Sequence, residues 1–424
     1  MGKNILNVCG YLQIMKNRSH LTINILLKLL VISIFFDSYA IIYVYTFPIT
    51  IFSLVSALII ISGFFKCISN GTLILNISGK IAVVMILFII INYFVTGCVN
   101  VTSPLLGIFY FVTFIFAYSS ESIESFESYI RLFQKGINIM AIYGIYQLIA
   151  RIFSLPLANI IIPNHMVTGF NWSNVIYIAG YSIQRSNAIF REPSFFSQYL
   201  AINILLYIGK VLKKSNSTIS LILIVINAIA LIVSFSGTGF IILLFSGLIY
   251  LIIIKKDQKI ILRIIKYAIP VGIIALIFIN MTIGRYFLSR LSEIFVYKVD
   301  NVSGYVRFRS GMVVLMEAWN QNWLFGVGIG TASEYLNTIN NYVSGMTLNG
   351  FYRPAVEMGF SGMCLWILFI LSFWKKRNLY FIIQILLCVL FPFMVCHETF
   401  MSNYYWLILN LLNIKIINSN YPPA

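Results

Sequence analysis

Charge is scarce in this chain. Only 10% of its 424 residues are charged and 12 are acidic, whereas a soluble domain is nearer a quarter charged. The six cysteines form no CxxC pair and no metal-ligand spacing, and no DxD pair falls in a predicted outer loop. These absences argue against a soluble globular domain, a zinc site and a metal-held nucleotide-sugar site.

Apolar sequence fills the chain instead. Hydrophobic residues make up 60% of it, and runs of about 20 apolar residues, each long enough to cross a bilayer core, recur from end to end. Backbone groups in lipid must be satisfied within their own segment, so we expect the spans to be helices. We predict one all-α polytopic membrane domain over 1–424 with about twelve transmembrane helices. Their predicted bounds are 22–43, 46–65, 81–97, 104–119, 137–154, 194–210, 217–235, 238–254, 267–284, 354–374, 379–396 and 402–417.

In this topology Lys and Arg residues are distributed unequally between the two sides of the membrane. With both termini inside, 19 of the 29 cationic residues fall inside and nine outside, as the positive-inside rule favours. The inside charges lie largely in short turns such as Lys213-Lys214, so the net charge of +17 does not indicate a nucleic-acid partner. Two long outer loops, about 155–193 and 285–353, carry most of the outside charges, which are nearly all arginine.

The outer arginines point to an anionic ligand, because topology normally removes positive charge from such loops. Arginine's planar fork suits bidentate binding of phosphate. Arg191-Glu192-Pro193 and Arg353-Pro354 each open an inward-running span, which places a helix N-terminus beside an arginine and predicts a pyrophosphate cradle. The alternative is that individual arginines bind lipid headgroups. The arginines concerned are Arg185, Arg191, Arg285, Arg290, Arg307, Arg309 and Arg353.

Four residues are candidates for a general base: Glu357, Glu192, His165 and His397. Glu357 lies one turn inside the span opened by Pro354, where a carboxylate is costly and is often functional. The alternative is an i,i+4 ion pair with the preceding arginine. Glu192 could instead pair with Arg191 or cap its helix, and each histidine could be a satisfied polar residue at the membrane boundary.

Three further patterns predict local structure. Residues 304–323 carry apolar side chains at helical spacing, which predicts a short interfacial helix. No βαβ unit surrounds GVGIG at 326–330, so we expect its glycines to allow a tight re-entry of the loop rather than to bind a dinucleotide. The serine- and glutamate-rich stretch 119–128 is expected to be a solvated inside turn.

Three blocks of sequence resemble the O-antigen polymerase and O-antigen ligase superfamily. They are FREPSFFSQYL (190–200), SGYVRFRSGMVVLMEAW followed by GVGIG (303–330), and LNGFYRPAVEMG (348–359). The resemblance covers most of the chain in layout and about 60 residues in motif. It implies a GT-C-like glycosyltransferase of the bacterial inner membrane that acts at the periplasmic face, without metal or cofactor, on undecaprenyl-pyrophosphate-linked glycans.

The resemblance also implies roles for particular residues. Arg191 and either Arg307 or Arg309 would hold the donor pyrophosphate, with Arg185, Arg290 and Arg353 as further candidates. Besides the lipid-linked glycan and the bilayer, a chain-length regulator protein is a candidate partner.

Polymerase is favoured over two alternatives. The ligase branch often carries a His-Asn pair that begins nine residues before the glutamate corresponding to Glu357. This chain has Leu348-Asn349 there, so the histidine that serves as the usual base candidate of a ligase is missing and the general base stays unassigned. The second alternative is a lipid-linked oligosaccharide flippase, which needs cations inside the bundle and repeat symmetry between halves. Charges inside the predicted spans are few (Lys28 and Asp37 in the first), and the sequence shows no internal repeat.

Overall fold

The structure is a computed structural model that describes residues 22–44, 47–167, 169–171, 174–178, 181–212, 217–255, 310–332, 348–376 and 380–417. These residues are mostly helical, as the sequence predicts. The predicted span 267–284 lies outside the described residues, and so do Arg285, Arg290, Arg307 and Arg309.

Eight described helices precede the second long loop. They are α1 (Thr22–Phe36, with a final 3-10 turn), α2 (Ile51–Asn70), α3 (Ile77–Thr96), α4 (Thr102–Phe116), α5 (Ile123–Ile152), α6 (Pro193–Leu212), α7 (Ser217–Val233) and α8 (Gly237–Ile249). A π-helical turn, Tyr250–Lys255, extends α8. Most of these helices match predicted spans to within a few residues.

Five described helices follow. They are α9 (Ser310–Asn322), α10 (Tyr352–Glu357), α11 (Gly359–Ser372), α12 (Phe381–Cys396) and α13 (Asn403–Asn413). The predicted interfacial helix at 304–323 corresponds to α9. The predicted span 354–374 is not one helix: it breaks at Met358, and Gly359 follows with a φ of 67°, a left-handed conformation that glycine adopts without strain.

Three short strand pairs correct the sequence prediction. β1 (Ala40–Val44) pairs antiparallel with β2 (Phe47–Thr50), so the predicted span 22–43 is wrong over its last part. The β-branched and aromatic residues of this segment favour a strand, and Pro48, which has no N–H to donate, fits a two-stranded edge. A second antiparallel pair joins β4 (Val175–Ile178) to β5 (Tyr181–Gln184) in the first long loop.

The third pair changes the interpretation of 119–128, which is not a solvated turn. β3 (Ser120–Ser122) pairs in parallel with β6 (Lys415–Ile417), and α5 begins directly after it. The Ser122 hydroxyl accepts the N–H of Ser125 at 3.2 Å, which is the N-cap bond that favours serine at a helix start.

The helix ends gather at two opposite ends of the bundle. One of them, here called the site end, is where five helices finish: α1, α3, α5, α7 and α12. There the N–H of Gly350 donates to His397 O at 2.5 Å. The other, here called the far end, is where five further helices finish: α2, α4, α6, α11 and α13. There Asn76 Nδ2 donates to Asn413 Oδ1 at 2.8 Å, and β3 pairs with β6. The chain therefore passes back and forth between two separate clusters of turns.

The outer surface of the bundle is strongly apolar. On α7, large apolar side chains are exposed at intervals of three or four residues, and Phe94 near the end of α3 is 75% exposed. Among the described residues, Ile51–Ser69 and Ile77–Thr96 are long and apolar enough to cross a membrane, and five other apolar helices are shorter. The side chains exposed at these intervals on α7 are Ile219, Ile222, Val225, Ile229 and Ile232, and Leu221 is exposed beside them.

The last two helices form the centre of the fold. Every residue from Tyr404 to Asn413 in α13 is buried, and so is most of α12. A helix that is covered on all sides belongs in a core. Aromatic side chains pack against α13: the centroid of the Trp406 ring lies 4.8 Å from that of Phe111 and 5.4 Å from that of Tyr110.

A polar network lies inside the bundle between α5, α6 and α7. Asn138 Oδ1 accepts from Asn203 Nδ2 and from Asn227 Nδ2, each at 2.9 Å. Asn138 Nδ2 donates to Tyr207 Oη at 2.7 Å, and Asn227 Oδ1 accepts from Asn203 Nδ2 at 3.0 Å. Interhelical bonds of this kind replace the water that an apolar surrounding lacks.

Asn227→Ala is expected to destabilise the fold, because buried Asn203 loses one acceptor and half-buried Asn138 loses one donor, at a cost of about 1–3 kcal/mol. A lowered thermal midpoint of the detergent-solubilised protein would show it. Val225→Ala on the exposed face of the same helix is the matched control, with a smaller effect expected. Equal midpoints for the two variants would mean that the network does not stabilise the bundle.

Candidate functional site

A cavity of about 130 Å³ opens at the site end of the bundle. Asp37 enters it from the end of α1, Tyr110 from α4 and Arg191 from the start of α6. His397 and Glu398 enter it from the link between α12 and α13. The cavity therefore combines a guanidinium, two carboxyl groups, an imidazole and a phenol, all contributed by ends of separate helices.

Arg191 is held at the start of α6. Pro193 is the first residue of that helix, as the sequence predicts. The N–H of Phe196 donates to Glu192 O at 3.3 Å as the first helical bond, and the Glu192 carboxylate accepts the Ser194 hydroxyl at 3.0 Å. Glu192 thus precedes the helix with its side chain bonded to Ser194, while Arg191 lines the cavity.

Asp37 follows α1 directly and is held by a short chain of hydrogen bonds. Asn403 Nδ2 donates to Asp37 Oδ1, and the Tyr110 hydroxyl donates to Asn403 Oδ1. Burial raises the pKa of the Asp37 carboxyl, while the positive charge of Arg191 and the bond from Asn403 oppose that rise. The site therefore pairs one fixed carboxyl with one nearby cation.

His397 and Glu398 follow the last turn of α12. The His397 ring packs edge-on against Phe195, with ring centroids 4.2 Å apart, and its Nδ1 lies 3.2 Å from Glu398 O. Glu398 Oε1 accepts the N–H of Met401 at 2.5 Å. The link between the last two helices is therefore ordered by its own side chains.

Arg353 contacts the cavity wall through Glu398. Its Nε lies 3.0 Å from Glu357 Oε1, and one terminal nitrogen lies 3.5 Å from Glu398 Oε1. The i,i+4 ion pair considered for Glu357 is thus present. Burial raises the pKa of the Glu357 carboxyl, and both Arg353 and the N–H of Gly330 oppose the rise.

The glycine-rich segment 326–330 returns tightly into the protein, as expected. Val327 N–H donates to Val356 O and Gly328 N–H to Glu357 O, each at 3.0 Å. Gly326 has a φ of 71°, and a Cβ there would lie 2.3 Å from Val356 O. Only glycine therefore allows the two backbones to approach this closely.

Other predicted site residues lie elsewhere. Arg185 bonds Ser234 O and Asn174 Oδ1, each at 3.2 Å, and so anchors the β4–β5 hairpin beside the end of α7. His165 is exposed, with its Nδ1 3.0 Å from Ala40 O. Of the predicted site residues that the structure describes, Arg191 and His397 line the cavity, and Arg353 and Glu357 adjoin it.

Sequence reasoning missed Asp37, Tyr110 and Asn403 as site residues. A signal existed for Asp37, which is an acidic residue in an apolar run, and such carboxylates are functional candidates by default. Tyr110 and Asn403 carry no such signal, because their role comes from contacts across the fold.

No protein-family model and no curated protein matches the chain. Function must therefore be inferred from the site. Within the described ranges, no group of three or more His, Cys, Asp and Glu side chains could hold a metal ion. What the cavity residues can do is bind an anion at Arg191 and accept a proton at a carboxylate or imidazole.

Gly326→Ala is expected to destabilise the site end, because its new methyl group meets the Val356 carbonyl and its backbone must keep a positive φ. Limited proteolysis and thermal melting of the purified protein would measure the change. Gly247→Ala within α8 is the matched control, since nothing lies within 4 Å of its added methyl group. A Gly326→Ala protein as stable as this control would contradict the close approach.

Proposed function

We propose that this chain is a polytopic bacterial inner-membrane glycosyltransferase that polymerises undecaprenyl-pyrophosphate-linked oligosaccharide repeat units at the periplasmic face. The observation that carries the proposal is Arg191 at the start of α6, in one cavity with His397 and Asp37. An arginine at a helix N-terminus suits a pyrophosphate, and the neighbouring groups suit proton transfer from a sugar hydroxyl.

The distribution of polar groups supports a membrane setting. Large apolar side chains are exposed along α2, α3 and α7, while amide side chains such as Asn203 and Asn227 are fully buried. A water-soluble surface rarely exposes apolar area on this scale, whereas lipid-facing helices do so and bury their polar groups.

Charge supports the orientation. The far end carries lysines in its turns, among them Lys375, Lys376 and Lys415, while the cationic residues described around the cavity are arginines. By the positive-inside rule the lysine-rich far end faces the cytoplasm, so the site end with its cavity faces the periplasm.

In the proposed reaction, a hydroxyl at the non-reducing end of one repeat attacks the anomeric carbon of the donor glycan. The bond from that carbon to the pyrophosphate oxygen breaks, and undecaprenyl pyrophosphate leaves. Arg191 stabilises the charge that grows on the leaving group, because a cation that is already in place needs little rearrangement as that charge develops. A pyrophosphate is a good leaving group, so positioning supplies much of the remaining rate.

Orientation can be tested with single cysteines in a variant whose native cysteines are replaced. Val99, 93% exposed at the site end, and Ile74, 67% exposed at the far end, are suitable positions. We expect a membrane-impermeant maleimide to label Val99→Cys in spheroplasts and to label Ile74→Cys only after permeabilisation. The reverse pattern would place the cavity in the cytoplasm and exclude the proposed reaction.

Arg191→Ala is expected to abolish polymerisation, because the leaving pyrophosphate loses its cation, and Arg191→Lys is expected to restore only part of the activity. A knockout in the source bacterium, rescued with each variant, can be scored as a surface-glycan gel. Arg131→Ala, which removes an exposed arginine on α5 near the far end, should rescue the full ladder.

Each outcome of the knockout separates the candidate functions. A single repeat attached to the core indicates polymerase. Polymer that accumulates on the lipid carrier indicates a ligase, and unpolymerised lipid-linked repeats trapped inside indicate a flippase. An unchanged ladder, or full rescue by Arg191→Ala, would contradict the proposal.

A further inference from the structure

We propose that Asp37 accepts the proton of the attacking sugar hydroxyl. This inference rests on the proposed function and assigns the base that the sequence leaves open. Asp37 lines the same cavity as Arg191, and the charge of Arg191 acts on its carboxyl group. A proton acceptor beside the cation that holds the donor would lie close to the reacting carbon.

A neighbouring side chain fixes one oxygen of Asp37, and the carboxylate can still accept further hydrogen bonds. Asn403 Nδ2 donates to Oδ1, and Tyr110 in turn donates to Asn403 Oδ1, which sets the orientation of the amide. A carboxylate has about four lone-pair positions. Because one amide bond occupies only part of them, the group can still receive the hydroxyl of a substrate.

The other acidic group of the cavity is committed to structure. Glu398 Oε1 accepts the N–H of Met401 and lies 3.5 Å from Arg353, which also pairs with Glu357. His397 packs against Phe195 and has its Nδ1 beside a backbone carbonyl. Among the described carboxyl groups, Asp37 therefore combines cavity exposure with a neighbouring cation in the way the reaction needs.

The step balances without a further reactant. The hydroxyl oxygen forms a bond to the anomeric carbon, and its proton moves to the Asp37 carboxylate. The electron pair of the broken carbon–oxygen bond stays on undecaprenyl pyrophosphate. The protonated Asp37 then loses its proton to water, which returns the site to its starting state.

The test uses the full chain in proteoliposomes with lipid-linked repeat units extracted from the deletion strain. Asp37→Asn, which keeps the shape and an oxygen for Asn403, is expected to lower turnover by roughly 10²- to 10⁴-fold, the usual contribution of general base catalysis. We expect the KM for the lipid-linked repeat to stay within about threefold, because Arg191 still binds the pyrophosphate.

Two further variants separate proton transfer from folding. Asp37→Glu keeps the carboxylate on a longer arm and should retain more turnover than Asp37→Asn. Asp37→Ala should regain turnover when formate is added, because the small carboxylate can occupy the vacated space. A loss that formate does not reverse would make Asp37 structural and would overturn the inference.

The outcomes also separate this inference from the proposed function. Chain lengthening by Asp37→Asn at a rate near that of the wild type would overturn the role of Asp37 and leave the polymerase proposal standing. A larger loss of turnover in His397→Gln than in Asp37→Asn would transfer the role to the imidazole. No chain lengthening by the wild-type protein would overturn both proposals.

Discussion

The ion pair between Arg353 and Glu357 sets where three distant segments of the chain meet. Glu357 accepts the N–H of Gly330 and so holds the returning glycine segment, while Arg353 reaches Glu398 in the link between α12 and α13. A buried carboxylate is tolerated only when it is paired and hydrogen-bonded. The wall of the cavity that carries His397 therefore depends on a pair that itself lies outside the cavity.

The cavity gains its chemical character from the apolar bundle around it. Polar and charged side chains line much of the cavity, while the helices behind it pack through apolar side chains. The Arg191 carbonyl accepts the N–H of Asn171 just before α6, and the Asp37 carboxylate accepts the side-chain amide of Asn403 just after α1. Preorganised charges of this kind need little rearrangement when a substrate binds.

The sequence predicted most helices because their apolar runs are long, and it predicted the start of α6 because proline at a first helical position is a local signal. It did not predict the β1–β2 hairpin, since a short apolar run does not distinguish strand from helix. The i,i+4 pairing of Arg353 with Glu357 could be read locally. The bond between Asp37 and Asn403 could not, because it joins the end of α1 to the start of α13, 366 residues later in the chain.

The burial of α12 and α13 has a consequence for the order in which the protein is made. These two helices follow all other described helices in the chain, yet they occupy the centre, and β3 finds its partner only in β6, about 300 residues later. Earlier helices must therefore fold around a space that the last two helices have yet to fill. Until the last segment emerges from synthesis, groups such as Asp37 and Tyr110 lack their final partner Asn403 on α13.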